Sequence, residues 1–328
     1  MSLFVILFGL ALVFGFFNGF SDSKVIVATI ISSRVLSPRW ALFLTAIAEF
    51  GGATIFGLGV AAVARTIGTG LILPSAIGMD TLIAALGGAI IWSVITWLFG
   101  IPSSSSHTLV GGLIGAAWVH SGLDVIQIAG LVKILLVLFL SPLIGLVVAY
   151  VFTKLVFFLS RNASMRINSF FKNIQIFTGI ALAFSHGSND PQKPMGIIAL
   201  GLLIAGVTSN FEIPIYAVLA VAAVYALGDV TGGSRLIKTV GSKFYKIRPV
   251  HGFCSQVSSA LVVFGAALIG GPVSSTQVIS SAVLGAGSAQ RVNMVRWGVA
   301  GEMLVTWLLT IPVTGLISGG ILLLIKSI

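Results

Sequence analysis

Apolar residues run through this chain in long blocks separated by short polar breaks. The blocks cover about 3–31, 40–64, 80–101, 107–120, 125–159, 174–186, 194–208, 213–228, 251–270, 278–289 and 293–325. A helix needs about 20 apolar residues to cross a bilayer, so many blocks are long enough for a span. Pro142 and Pro312 are expected to break two of the longest by removing a helical hydrogen bond. Tilt absorbs the remaining excess length. The pattern predicts an all-α, polytopic helical membrane protein. A transmembrane β-barrel is excluded, because its strands would alternate apolar and polar residues with period two. The first block, Leu3 to Phe17, has no basic leader and no Ala-x-Ala cleavage site, and it runs into a polar motif; it reads as a retained span.

The polar breaks are written twice. Gly19-Phe20-Ser21-Asp22 returns 168 positions later as Gly187-Ser188-Asn189-Asp190. Pro102-Ser103-Ser104-Ser105-Ser106-His107 returns 170 positions later as Pro272-Val273-Ser274-Ser275-Thr276-Gln277. Pro142-Leu143-Ile144-Gly145 matches Pro312-Val313-Thr314-Gly315 at the same spacing of 170. Matching polar, Gly/Pro-interrupted segments in two hydrophobic halves point to the binding site of a secondary transporter. The halves are 1–159 and 174–328, joined by a basic linker at 160–173. A second basic segment, 232–249, carries Leu236, Val240 and Phe244 at helical spacing and reads as an amphipathic cytoplasmic element.

Composition agrees with the pattern: 57% of residues are hydrophobic and only 8% charged, and mean hydropathy is +1.12. So few charges could not solvate a soluble protein of 328 residues. The net charge of +10 comes from lysines and arginines placed mostly in short loops. That is the signature of cytoplasmic loops rather than of nucleic-acid binding. With Arg34 and Arg39, the 160–173 linker and the 232–249 segment all inside, both termini fall outside. The hairpin at 80–120 then enters from outside and its twin at 251–289 from inside, which makes the halves inverted-topology repeats. The single cysteine, Cys254, sits in an apolar stretch and reads as packing.

Asp22 and Asp190 lie within apolar sequence, where a carboxylate is costly and defaults to function. Each can offer oxygen ligands to a small hard cation or carry a proton, and either could instead pair with Lys24 or Lys193. The serine-rich turns, Ser104, Ser105 and Ser106 with Ser274, Ser275 and Thr276, cannot face lipid. Proline ends the preceding helix and serine caps the next, so each turn is the tip of a helical hairpin. Helix N-termini and hydroxyls at such tips form an anion site, and two tips meeting at the membrane midplane would hold a tetrahedral oxyanion from both sides. Gln192 can assist it. Glu49, Glu302 and His107 are candidates for a second cation or a proton path, although each also has a structural role open to it. Asp229 is expected to cap the basic segment. The sequence displays no metal-ligand cluster and no nucleophile–base pair, so enzyme function is not expected.

These motifs resemble the inorganic phosphate transporter (PiT) family of sodium- or proton-coupled permeases. The likeness rests on Ser185-His186-Gly187-Ser188-Asn189-Asp190, on Gly100-Ile101-Pro102-Ser103-Ser104-Ser105-Ser106-His107, on Gly270-Gly271-Pro272-Val273-Ser274-Ser275-Thr276 and on Gly233 to Phe253. It departs at Ser21 and Val25, where asparagine is usual, at Gln192-Lys193, at Gln256 for glutamate and at Gln277 for histidine. Loss of a glutamate and a histidine from the second hairpin favours sodium over a proton relay. The resemblance implies a multi-pass symporter of the cell membrane that takes up inorganic phosphate with sodium, works by alternating access, forms a homodimer in lipid and needs no cofactor. Phosphate would lie at the two tips with Gln192, and sodium at Asp22, Asn189 and Asp190. A proton-coupled carrier of phosphate, metal–phosphate or sulfate is the alternative, and an uncoupled anion channel the next.

Overall fold

The computed structural model describes residues 2–101, 103–164, 166–232 and 247–327. Pro102 and nearly all of the anticipated amphipathic element at 232–249 lie outside them. Twelve α-helices occupy the described residues: α1 Ser2–Ser32, α2 Pro38–Gly59, α3 Ala62–Thr69, α4 Met79–Phe99, α5 Ser105–Ser121, α6 Ile128–Leu159, α7 Ile167–Gly187, α8 Gln192–Ile204, α9 Ile215–Thr231, α10 Pro249–Leu268, α11 Ser275–Gln290 and α12 Trp297–Ser327. Their only β feature is an isolated bridge between Ile72 and Ile126. Six helices, α1, α2, α4, α6, α10 and most of α12, are long and apolar enough to cross a membrane. The chain is a multi-pass helical membrane protein.

The apolar blocks became helices, with three differences. Pro142 and Pro312 do not break α6 and α12, which run through them uninterrupted. Pro142 removes the N–H partner of the Leu138 carbonyl, and Ser141 Oγ sits 3.5 Å from that oxygen. Local hydroxyls of this kind let a membrane helix tolerate proline. Second, the repeated Gly-x-x-Asp does not act alike in the halves: α1 is continuous through Gly19 and Asp22, whereas its counterpart is split into α7 and α8 at Ser188–Pro191. Third, the block at 40–64 ends early, and a turn through Ala61 at φ 44° starts the short α3.

The hairpins form as the spacing predicts. α4 ends on Gly100 and α10 on Gly270, at φ 66° and 72°. At each, the following N–H reaches back five residues in the chain: Ile101 N to Thr96 O at 2.9 Å and Gly271 N to Ala266 O at 2.8 Å. This is the Schellman ending, which requires a left-handed residue and therefore favours glycine. The second arms α5 and α11 are buried along nearly their whole length.

Packing between the halves is reciprocal. A Cβ on Gly115 of α5 would stand 2.1 Å from the Gly315 carbonyl oxygen of α12, and one on Gly285 of α11 would stand 2.2 Å from the Leu146 oxygen of α6. Gly115 and Gly285 are 170 positions apart, as are Gly145 and Gly315. Likewise Gly19 packs on the Tyr225 backbone of α9, and Gly187 on the Glu49 backbone of α2. Each half thus lays its own glycines against the other half's helices, in a two-fold pattern. Small residues allow backbones this close, the usual basis of helix association in lipid.

Candidate functional site

The reciprocal crossings bring the two hairpin tips together with the α1 and α7–α8 motifs. The tips touch directly: Ser106 Oγ donates to the Val273 carbonyl at 2.6 Å, and His107 Nδ1 lies 3.4 Å from Gln277 Nε2. Ser104 caps α5, its Oγ accepting from His107 N at 3.2 Å and meeting His107 Nδ1 at 2.7 Å. Ser274 precedes α11 without a capping bond, and its buried hydroxyl has no protein partner.

The second tip reaches both repeated carboxylates. Ser275 Oγ donates to Asp190 Oδ1 at 2.9 Å, and Thr276 Oγ1 donates to Asp22 Oδ1 at 2.8 Å. Lys193 Nζ donates to the same Asp190 Oδ1 at 2.7 Å and to Ser105 Oγ of the first tip at 3.3 Å. Asp22 Oδ2 and Asn189 Oδ1 are buried without hydrogen-bond partners, while Asn189 Nδ2 donates to Gly271 O at 3.0 Å. A polar cavity opens beside Asp22, lined by Asn18, Ser21, Ser93, Thr96, Ser103, Ser105, Thr108 and Thr276 among others.

His186 is the residue that sequence reasoning passed over. Its Nε2 lies 3.0 Å from Asp190 Oδ2 and 3.9 Å from Asp22 Oδ2, and its Nδ1 lies 3.2 Å from Glu49 Oε2. The expectation of no metal-ligand cluster is therefore corrected: Asp22, His186 and Asp190 converge with ligand atoms within 4.8 Å of one another. The i, i+4 spacing of His186 and Asp190 held a clue, but Asp22 and Glu49 arrive from two other helices. Asp229 belongs to the buried acids. It is fully buried, and nearly all of the basic segment lies outside the described residues. Asp22, Glu49, Asp190 and Asp229 are all buried, together with Lys24 and Lys193. Carboxylates outnumber ammonium groups, and charge of this kind within a membrane requires compensation.

Gln192 and Glu302 stand apart from this cluster's chemistry. Gln192 Oε1 accepts from Val63 N and Ala64 N at 3.0 and 3.2 Å, and its Nε2 donates to Ser188 O at 2.6 Å. Its amide pins α3 to the α7–α8 break, with one N–H of Nε2 given to Ser188 O. Glu302 is exposed early in α12 and does not join the buried acids.

A helical membrane protein whose duplicated hairpin surrounds a buried, charged centre has the architecture of a membrane transporter. The family follows from comparison. The phosphate transporter family model matches residues 18–168 and again 159–318, and this chain belongs to that family. It is 42% identical over 318 residues to a "Probable low-affinity inorganic phosphate transporter" of Rhizobium meliloti (strain 1021), covering 96% of this chain and 94% of the relative. It is 41% identical over 308 residues to a protein of the same description from Bacillus subtilis (strain 168), covering 93% and 91%. Among solved structures it is similar to one titled "The sodium-dependent phosphate transporter", with a TM-score of 0.90, 26% identity and full coverage of both chains. The two successive family matches agree with the duplication read from the sequence.

Proposed function

We propose that this protein is a sodium-coupled symporter that imports inorganic phosphate across the cell membrane. The carrying observation is that adjacent residues of one tip, Ser275 and Thr276, hydrogen-bond Asp190 and Asp22 respectively. Hydroxyls that serve the anion are thereby shared with carboxylates that serve the cation. Occupancy of either site changes the donors offered to the other, and such coupling is reciprocal by linkage. Phosphate lies between the tips, against the N-termini of α5 and α11, with Ser105, Ser274, Ser275 and Thr276 nearest. Sodium lies at Asp22, between its free Oδ2 and Asp190 Oδ2, with Asn189 Oδ1 in reserve. Ser104 and Gln192 act as scaffold. Oppositely oriented repeats exchange access by moving one against the other. The sodium-dependent structural neighbour supports the choice of ion.

Proton coupling is the second reading, favoured by one feature. Both ring nitrogens of His186 face carboxylates, Glu49 on one side and Asp190 on the other. A nitrogen donor suits a proton better than it suits a hard alkali cation.

Radiolabelled phosphate uptake into proteoliposomes decides between them. An inward sodium gradient at equal pH should drive accumulation, and Asp22→Asn should abolish it while the protein stays monodisperse. Accumulation only under an inward proton gradient would replace sodium with protons at the same residues. Flux that ignores both gradients would overturn symport in favour of an uncoupled pathway.

A further inference from the structure

The two repeated aspartates are not equivalent, and the difference lies in one side chain. Lys193 follows Asp190 by three residues; the matching position after Asp22 is Val25. Lys193 is completely buried, and its ammonium spans from Asp190 Oδ1 to Ser105 Oγ. It therefore bridges the carboxylate layer to the first hairpin tip, where a bound cation would also have to stand. Asp190 Oδ1 accepts from both Lys193 Nζ and Ser275 Oγ, and Asp190 Oδ2 lies 3.0 Å from His186 Nε2. Asp22 takes one hydroxyl from Thr276, and its Oδ2 has no hydrogen-bond partner. Among the described residues, no lysine or arginine nitrogen comes within 4.0 Å of Asp22, and its flank opens to the polar cavity.

We propose that Lys193 is a tethered cation: its ammonium permanently fills the ion position between Asp190 and the first tip and binds the transported anion there, leaving Asp22 as the carboxylate that takes the exchangeable cation. The inference rests on the cation-coupled phosphate reading above and deepens it. An ammonium carries three N–H donors. Two are used, on Asp190 and Ser105, and the third is left for a phosphate oxygen. A covalently held charge cannot leave with the substrate, so it contributes to anion affinity without adding to the number of ions carried per cycle. The second half of the repeat thereby holds its counter-charge in place, and the first half must recruit one.

Equilibrium binding of radiolabelled phosphate to the purified full-length protein tests this, with sodium titrated at fixed pH and pH titrated without sodium. Lys193→Gln should weaken phosphate binding at least about tenfold, the scale of losing a charged hydrogen bond. It should also raise the Hill coefficient of the coupling cation by about one, as a mobile ion enters the vacated place on Asp190. Lys193→Arg should keep the wild-type Hill coefficient. Unchanged affinity in Lys193→Gln overturns the proposal. So does weakened affinity with an unchanged Hill coefficient, which is the mark of a purely structural pair. If Lys193→Gln does not fold, the double variant Lys193→Gln/Asp190→Asn removes both charges; it should bind phosphate weakly with no gain in Hill coefficient, and wild-type affinity there sinks the idea. Wild-type protein that binds no phosphate under any cation would instead defeat the transport reading beneath it.

Discussion

Gln277 Nε2 stands 3.4 Å from His107 Nδ1, and the two residues are 170 positions apart, the spacing of the internal repeat. A residue that touches its own repeat mate lies at the approximate two-fold axis relating the halves. The hairpin tips that carry these residues therefore meet at the centre of the molecule. His107 also bonds Ser104 at its own tip, so the pair joins the Ser104 cap of α5 to the first turn of α11.

Because the axis position already accepts glutamine on one side, His107→Gln should be tolerated. Phosphate uptake by this variant in proteoliposomes is expected within about threefold of wild type, the change a surplus weak hydrogen bond accounts for. Complete loss of uptake with intact folding would assign His107 a proton-carrying role instead.

The reciprocal glycine crossings should be among the least tolerant positions. Gly115→Ala and Gly285→Ala each place a methyl group against a backbone oxygen of the opposing half, at 2.1 and 2.2 Å. Overpacking of this severity costs about 1–3 kcal/mol or more. Gly9→Ala, with nothing within 4 Å of the new methyl, should be neutral or slightly stabilising. Thermal unfolding in detergent would order the three; equal melting temperatures would contradict the packing.

Gln192→Ala should lower stability and leave substrate recognition alone. It strips the N-terminus of α3 of its acceptor for Val63 N and Ala64 N, a capping loss of about 1–2 kcal/mol. A lower melting temperature with an unchanged KM for phosphate is expected. A rise in KM without loss of stability would return Gln192 to the anion site.

Glu49→Gln and Glu302→Gln should separate cleanly. Glu49 is fully buried against His186, and its neutralisation alters the charge balance around Asp22 and Asp190. Cation-driven uptake should fall at least about tenfold, as for other buried charge partners. Glu302 is exposed, and its variant should transport normally. Equal effects in a side-by-side uptake assay would mean that both acids lie on one ion path.

The sequence by itself determined what is local. Runs of apolar residues marked the helices, Gly100 and Gly270 with the serines after them marked the hairpin tips, and the duplicated Gly-x-x-Asp marked the carboxylates. Each of these follows from hydrophobicity, capping or backbone freedom within a few residues. Tertiary structure decided which faces meet. His186 looked like an ordinary helical histidine until α2 brought Glu49 and α1 brought Asp22 to its ring. Gln192 and Glu302 carried suitable chemistry, but the fold ties the Gln192 carbonyl to the backbone of α3 and leaves Glu302 exposed. Pro142 and Pro312 threatened a break, yet α6 and α12 run on through them. The inequality of Asp22 and Asp190 also emerged only in three dimensions. Val25 and Lys193 are plain in the sequence, but only the fold brings Ser105 of α5 within reach of the ammonium that also holds Asp190.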